Sequence, residues 1–299
     1  MNTYHKSVLV EEVLHYLNPQ PNGLYVDVTF GGGGHTREIL KKEPTCRVIA
    51  FDWDRVALEK NAPVMKEEFG DRIQLLWGNF AHIQRLLKKE KNIIEVDGIL
   101  ADFGTSQTQI FNKEGFSFLV DSPLDMRMSP AHQRITAAYV LNHATASELA
   151  TIFFELGEER YSRKIARALV EERKHNKFMR TKQLADFVET VLGGRKGRIH
   201  PATKVFQALR IYVNKELENI KMLLQQSLDL LREDGRLVCI SFHSLEDRMV
   251  KHFLKDHSCP KEEGKCFEIL TKNIVMATPE ELAQNPSARS ARLRAARRC

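Results

Sequence analysis

The chain has 299 residues, of which 42% are hydrophobic and 28% charged, a composition typical of globular proteins and not of disordered or fibrous ones. Because a single hydrophobic core stops growing at about 250–300 residues, this length predicts one large domain or two of medium size. A net charge of +6, from 45 Lys and Arg against 39 Asp and Glu, permits a polyanionic partner. The sequence shows no membrane-spanning run and no apolar signal peptide, so we expect a cytoplasmic protein without a membrane partner.

An alternation of β-branched runs and helical patterns fills the first hundred residues. This alternation is typical of an open parallel sheet with helices on its faces. The sequence predicts strands at 24–28, 47–52, 73–77 and 96–102, with helices at about 35–42 and 54–66.

A purely helical pattern follows from about residue 111 to residue 204. The α/β pattern then resumes with a long helix at about 205–231 and a fifth strand at 236–242. We therefore predict a Rossmann-like α/β domain with a doubly wound sheet, formed by residues 1–110 and 205–299. An all-helical domain, residues 111–204, is inserted into it.

The first predicted strand runs directly into four consecutive glycines, Gly31 to Gly34, and then into a helix. Glycines let the backbone adopt positive φ and approach a ligand closely, at an entropic cost. Asp52 ends the second strand, 25 residues after Asp27. An acidic side chain at this edge of a doubly wound sheet can accept hydrogen bonds from ribose hydroxyls. Together these features indicate an adenosine-containing ligand.

The glycine loop does not match the phosphate-binding patterns. The dinucleotide fingerprint needs a glycine where Thr36 stands, and the P-loop pattern is absent. S-adenosylmethionine, which contains adenosine and no phosphate, is therefore favoured over a pyrophosphate ligand. A glycine turn with a structural role alone is the alternative.

Polar residues also follow the fourth and fifth predicted strands. Asp102 and Ser106 lie after the fourth strand and His243 after the fifth, where a substrate meets the cofactor in such folds. Ser244 is the predicted N-cap of the next helix, with Asp247 as its capping partner. A Ser-His-Asp hydrolase is excluded because the chain has no G-x-S-x-G motif.

The cysteines indicate neither a disulfide framework nor a metal site. Five cysteines with irregular spacing do not resemble a disulfide framework and agree with a reducing compartment. Cys259 and Cys266 with His257 form only a weak zinc pattern, and we predict no metal site.

Basic residues concentrate at 160–180, at 195–204 and in a C-terminal tail at 289–298. Such runs are often solvated faces, but one nucleic acid contacting both domains would explain all three.

At these residues the sequence closely resembles the bacterial 16S ribosomal RNA cytosine-N4 methyltransferase family (RsmH, also called MraW). The resemblance covers nearly the whole chain. The matching motifs are Tyr4-His5-Lys6-Ser7-Val8-Leu9, the loop at 29–35, Gly115-Phe116-Ser117-Phe118, Ser122-Pro123-Leu124-Asp125-Met126-Arg127-Met128, Gly157-Glu158-Glu159-Arg160, and the stretches at 200–204, 206–210, 241–248 and 285–290.

The resemblance implies an S-adenosylmethionine-dependent methyltransferase that modifies N4 of a cytidine in the decoding region of 16S ribosomal RNA. The resemblance also implies that the protein binds the small ribosomal subunit and does not bind DNA. The implied cofactor contacts are Gly33, Gly34, His35, Asp52, Phe80, Asp102 and Gln109.

An exocyclic cytosine amine is a poor nucleophile, so the reaction needs positioning and a proton acceptor. Asp102 is the first candidate for the acceptor, with Ser106 and His243 as candidates for assisting it. Two alternatives stay open. One is a methyltransferase with the same cofactor and another RNA or protein substrate, and the other is a non-catalytic RNA-binding protein.

Overall fold

The computed structural model describes residues 7–104, 114–195, 197–259 and 264–299, without the side chains of residues 90 and 91. The chain forms two compact units. The α/β unit consists of Met1–Gly104 and Leu217–Cys299, and the helical unit of Thr105–Glu216. The helix Thr203–Asn214 lies in the helical unit, whereas the sequence analysis places the second domain boundary at 204/205.

The α/β unit alternates strands and helices along the chain. Its first part contains α1 (Val10–Leu17), β1 (Leu24–Asp27), α2 (Gly34–Lys42), β2 (Arg47–Asp52), α3 (Arg55–Phe69), β3 (Ile73–Trp77), α4 (Ile83–Lys91) and β4 (Val96–Asp102). The helical unit contributes the next labels, α5 to α9. The second part of the α/β unit contains α10 (Glu216–Leu230, from Leu217 on), β5 (Leu231–Ser241), α11 (Ser244–Asp256), β6 (Phe267–Ile269), α12 (Pro279–Gln284) and β7 (Arg292–Arg298).

In the part of the chain that the structure describes, seven strands form one sheet in the order β3-β2-β1-β4-β5-β7-β6. The first five strands in that order are parallel, and β7 is antiparallel to both β5 and β6. The chain builds outward from β1 to β3 and then returns to place β4 on the other side of β1. The strand order therefore reverses between β1 and β4, which confirms the predicted doubly wound sheet.

Successive side chains of the strands pack on opposite faces of the sheet. Leu100 of β4 joins the hydrophobic core that contains Leu40 of α2 and Met65 of α3. Its neighbour Ile99 joins the other core, with Leu87 of α4 and residues of α10 and α11. Helices cover both faces of the sheet, so side chains that point to either face are buried. For this reason the strands are nearly continuous apolar runs in the sequence.

The basic C-terminal segment is not a free tail, which corrects the sequence analysis. Residues Arg292–Arg298 form β7, whose Leu293 and Ala295 are fully buried. The Arg294 guanidinium donates two hydrogen bonds to Asp247, at 2.7 and 3.2 Å, and Arg297 bonds to Glu268 and Asp234. Arg294 and Arg297 therefore neutralise acidic side chains of the same unit, and the segment is a paired strand and not a solvated tail.

Two helix predictions around the fifth strand are also wrong in detail. The predicted long helix at 205–231 is two helices, because Lys215 adopts the left-handed conformation with φ 52° between them. The N-cap of α11 is His243 and not Ser244. Its side chain accepts the backbone N–H of Glu246, and the Glu246 carboxylate accepts the N–H of His243 in return.

A disulfide joins Cys259 and Cys266, whose Cα atoms are 5.4 Å apart. The irregular cysteine spacing predicts no disulfide framework, and this single pair departs from that expectation. Pairing of the backbone at Cys259 and Phe267 brings the two residues together, and this pairing is not visible in the cysteine spacing.

The helical unit contains α5 (Ala137–His143), α6 (Ala146–Glu155), α7 (Ser162–Glu172), α8 (Thr181–Leu192) and α9 (Thr203–Asn214). Its own core includes Phe153, Ile165, Leu184 and Leu209. Thr145 and Glu148 form a capping box that starts α6. The described residues of this unit contain no strand, as the helical pattern predicts, and one isolated β-bridge joins Pro123 to Arg180.

None of the helices in the described residues is both long and apolar enough to span a membrane.

Replacing Arg294 by Ala should lower the free energy of unfolding by about 3 kcal/mol, because it leaves the carboxylate of Asp247 without its main partner at 14% exposure. The matched control is Arg297→Ala, at a side chain that is 39% exposed, where we expect a much smaller loss. Urea unfolding followed by circular dichroism measures both. Equal losses in the two variants would show that the Arg294 pair does not hold β7 in the sheet.

Candidate active site

The glycine loop lies at the carboxyl end of β1, where the strand order reverses. Beyond β1 the backbone still bonds to both neighbours, with Val28 N–H donating to Leu100 O at 3.0 Å and Phe30 N–H to Phe51 O at 2.8 Å. Gly31 and Gly33 then adopt positive φ, 51° and 76°, and α2 starts at Gly34. The loop therefore has the tight strand-to-helix turn that the sequence predicts.

The four glycines serve different purposes. At Gly33 a Cβ atom would lie 2.8 Å from the Phe30 ring, and at Gly34 it would overlap Ser7. A Cβ on Gly32 would meet nothing within 4 Å. Close packing against Phe30 and Ser7 thus favours glycine at Gly33 and Gly34, whereas open space for a ligand lies at Gly31 and Gly32.

Asp27 ties the loop to α2 and is fully buried. Its Oδ2 accepts the Thr36 hydroxyl at 2.7 Å, and its Oδ1 accepts the Thr29 N–H at 3.0 Å. Burial raises the pKa of Asp27, against the lowering effect of these hydrogen bonds. Thr36, which breaks the dinucleotide pattern, is therefore the partner that holds this carboxyl.

Asp52 reaches the glycine loop from the end of β2. Its Oδ2 accepts the Gly31 N–H at 2.7 Å and its Oδ1 accepts the Asp54 N–H at 2.7 Å. Burial raises the pKa of Asp52 to about 6, and the two backbone donors counteract part of that rise. Each oxygen keeps a second lone pair, so the carboxylate can accept two further hydrogen bonds.

His35 and Asp102 face each other between the glycine loop and the end of β4. His35 Nε2 lies 3.5 Å from Asp102 Oδ2, with the histidine 6% and the aspartate 24% exposed. Burial lowers the pKa of His35, but the nearby carboxylates of Asp102 and Asp27 outweigh it and raise the pKa overall. Both ring nitrogens of His35 and Oδ1 of Asp102 are buried without a hydrogen-bond partner.

Unpartnered buried atoms are costly in a folded protein, so these three atoms are candidates for binding a polar ligand or water. Thr29 fixes the position of this pair, because its hydroxyl accepts the Asp102 N–H at 2.7 Å. Asn61 of α3 fixes the loop from the other side by donating to Gly31 O at 3.0 Å. Thr29 belongs to the loop at 29–35 but has no predicted role, and no local pattern distinguishes Asn61 from other helix residues.

His243 lies at the carboxyl end of β5, beside β4. Its Nδ1 accepts the N–H of Glu246 at 3.4 Å, and its Nε2 is 3.2 Å from the Glu246 carboxylate. With Nδ1 acting as acceptor, neutral His243 has its proton on Nε2. The ring then has no lone pair available for a substrate proton, so its geometry favours a capping role over that of a proton acceptor.

The remaining predicted site residues are less informative. Phe80 is half-buried and packs against Phe103, with 6.1 Å between ring centroids, as part of the core on that face of the sheet. Asn79 caps the turn that contains Phe80 by accepting the Ala81 N–H. Ser106 and Gln109 lie outside the described residues.

Comparison with known proteins shows similarity over the whole chain. The model of the MraW methylase family matches residues 2–299. A ribosomal RNA small subunit methyltransferase H of Cyanothece sp. is 46% identical over 98% of this chain and 94% of its own length. Enzymes of the same name from Syntrophotalea carbinolica and Geobacter sulfurreducens are 47% and 46% identical, and the matches cover 98% and 99% of both chains in each pair.

The family match spans all the residues of the candidate site, from the glycine loop through Asp52 at the end of β2 to Asp102 at the end of β4. On this evidence the chain belongs to the MraW methylase family, a family of S-adenosylmethionine-dependent methyltransferases.

Proposed function

We propose that this protein transfers the methyl group of S-adenosylmethionine to N4 of a cytidine in the decoding region of 16S ribosomal RNA. The relatives are named for the RNA of the small ribosomal subunit. The observation that supports the proposal most directly is the unpartnered pair of His35 and Asp102 at the switch point of the sheet. With ribosomal RNA as the substrate, we propose that the protein acts in the cytoplasm and that its partner is the small subunit and not DNA.

The residues at this edge of the sheet fit S-adenosylmethionine. Asp52 retains two lone pairs for the ribose hydroxyls, and Gly32 leaves space for close approach of a ligand to the backbone. His35 and Asp102 offer buried polar atoms in need of partners. The bound cofactor supplies an electrophilic methyl group on a positively charged sulfur, which a site with several buried carboxylates favours.

Asp102 is the group we assign to the N4 proton. Its Oδ1 is buried and has no hydrogen-bond partner, so it can accept a hydrogen bond from an amine that enters the site. Thr29 holds the backbone of Asp102, and His35 lies beside the other carboxylate oxygen. These contacts position the carboxylate without using the oxygen that the amine needs. Ser106, four residues further along, remains a candidate for assisting it.

The helical unit provides a basic surface that we assign to RNA positioning. Arg163, Lys164 and Arg167 are exposed on α7, and no ion pair links them to other described side chains. The buried face of the same helix consists of Ile165, Ala166 and Leu169. The three cations therefore lie on the solvent side of α7, where phosphates can reach them.

The test of the reaction uses small ribosomal subunits from cells that lack this protein. Purified protein and S-adenosylmethionine should convert about one cytidine per subunit to N4-methylcytidine, measured by mass spectrometry of the RNA nucleosides. A methyl group found on another nucleotide, or only on protein, would replace the proposed substrate by one of the alternatives.

Asp102→Asn should lower the rate of methyl transfer by at least about 100-fold while the protein stays folded, because the amide cannot take up the proton. The matched variant is His243→Asn, since asparagine also caps helices and preserves the start of α11. We expect its rate to stay within a few-fold of the parent. The reverse pattern, a large loss only in His243→Asn, would move the acceptor role to His243.

Affinity for S-adenosylmethionine should weaken about tenfold between pH 7 and pH 5, because binding uses the ionised form of Asp52, whose pKa is about 6. The contribution of Asp52 to the stability of the ligand-free protein has the opposite sign. A carboxyl with a raised folded pKa stabilises the fold when protonated, so this contribution is present at low pH and is lost as the pH rises through about 6.

Calorimetric titration across this pH range measures the affinity change. Asp52→Asn should remove the dependence, whereas Asp54→Asn, which can still cap α3 through its amide oxygen, should keep it. An unchanged profile in Asp52→Asn would remove this residue from the cofactor site.

Replacing Arg163, Lys164 and Arg167 together by Ser should weaken RNA binding and lower the slope of log affinity against log salt by about 2, at roughly 0.7 for each lost phosphate contact. Affinity for S-adenosylmethionine should not change. Lys174→Ser is the control, because Lys174 pairs with Glu171 at 2.6 Å. An unaltered salt slope in the triple variant would show that this face of α7 is only solvated.

A further inference from the structure

Three cysteines, two of them seven residues apart and the third at residue 299, meet at the edge of the α/β unit. The sulfur atoms of Cys259, Cys266 and Cys299 all lie within 4.8 Å of one another. Cys259 follows α11, Cys266 precedes β6, and Cys299 follows β7. We refer to these residues as the three-cysteine cluster. It lies outside the proposed methyltransferase site, and none of its residues has a role in the reaction.

The backbone holds the cluster together independently of any bond between the sulfurs. Cys259 N–H donates to Phe267 O at 3.0 Å, Phe267 N–H to His257 O at 2.8 Å, and Cys299 N–H to Cys266 O at 2.9 Å. Phe267 is fully buried in the core of this unit. The three side chains therefore stay close to one another when the disulfide between Cys259 and Cys266 is reduced.

A disulfide accounts for only two of the three sulfurs. Cys299 is exposed, and its thiolate would attack a neighbouring disulfide by thiol–disulfide exchange. A free thiol beside a disulfide is therefore a poor arrangement for a permanent covalent link. Three thiolates around one point are, by contrast, the ligand set that soft metal ions select.

We propose that the three-cysteine cluster binds one Zn²⁺ ion after a dithiol reductant has transferred two electrons and two protons to the Cys259–Cys266 disulfide. Sulfurs that coordinate zinc at about 2.3 Å in a tetrahedron are about 3.8 Å apart, which the cluster can reach by small side-chain rotations. Binding displaces three thiol protons and forms three Zn–S bonds, so the site has a net charge of −1. The exposure of Cys299 gives the ion an entry path and leaves the fourth position to water.

His257, the residue that the sequence analysis grouped with Cys259 and Cys266, is not one of these ligands. Its Nδ1 donates to Phe253 O at 2.9 Å, and its ring lies against Phe253 with 4.3 Å between centroids. The third ligand is Cys299, which lies 33 residues beyond Cys266 in the sequence.

The ion would link the end of α11 to the two antiparallel strands at the sheet edge. β6 has only three residues and, among the described residues, is bonded to β7 on one side and by an isolated bridge at Phe267 to Ser258 on the other. A short edge strand of this kind has few hydrogen bonds of its own, so a metal ion that joins Cys266 to Cys259 and Cys299 stabilises it. We infer a structural role for the zinc, separate from methyl transfer.

The test uses full-length protein that is reduced with a phosphine, freed of metal with a chelator and titrated with Zn²⁺ or Co²⁺. We expect one metal ion per chain after desalting, measured by mass spectrometry of the metal, and thiolate-to-cobalt charge-transfer absorption with Co²⁺. Zn²⁺ at about 100 times its dissociation constant should raise the melting temperature by about 5 °C or more.

Cys299→Ser should weaken Zn²⁺ binding at least about 100-fold and abolish the melting shift, whereas Cys46→Ala, a cysteine buried elsewhere in the same unit, should bind as the parent does. The cobalt spectrum of the parent reports the thiolate ligands even if the Cys299 variant does not fold. Reduced parent protein without stoichiometric metal, or a Cys299→Ser variant with unchanged affinity, would overturn the proposal.

Discussion

The side-by-side placement of β1 and β4 is the constraint on which the candidate site depends. Because the chain leaves β1 toward one side of the sheet and returns to place β4 on the other, the loops after these strands border one crevice. Two hydrogen bonds connect them across it, from Val28 N–H to Leu100 O and from Asp102 N–H to the Thr29 hydroxyl. The glycine loop and Asp102 thus have a fixed relation that neither strand could provide alone.

Three acidic side chains border this crevice, and their hydrogen-bond partners show which of them hold the fold and which can act on a ligand. Asp27 is bonded to Thr36 and Thr29, so its role is to hold the loop. Asp52 accepts two backbone N–H groups and keeps lone pairs for a ligand. Asp102 has an oxygen without any partner. Of the three carboxyls, this is the one that is least satisfied by the protein and best suited to act on a substrate.

In the C-terminal segment, the number of arginines alone does not predict their surroundings. Its arginines indicate a polyanion-binding tail, yet Leu293, Ala295 and Ala296 between them are fully buried. Once the segment lies between β5 and β6, Arg294 and Arg297 meet acidic partners of the same unit. Basic residues that stay without such partners, as on α7, are the better indication of an RNA surface.

The sequence by itself determined the features that depend on neighbouring residues: the strand, glycine loop and helix that start the α/β unit, the five parallel strands, the run of helices between them, and the acidic residues that end β2 and β4. Asn61 on Gly31, His35 beside Asp102, β7 within the sheet and the meeting of Cys266 with Cys299 were decided only by the tertiary structure. The physical reason is that periodicity and turn chemistry act over a few residues. Strand order and the pairing of buried polar groups instead bring together residues that are tens of positions apart.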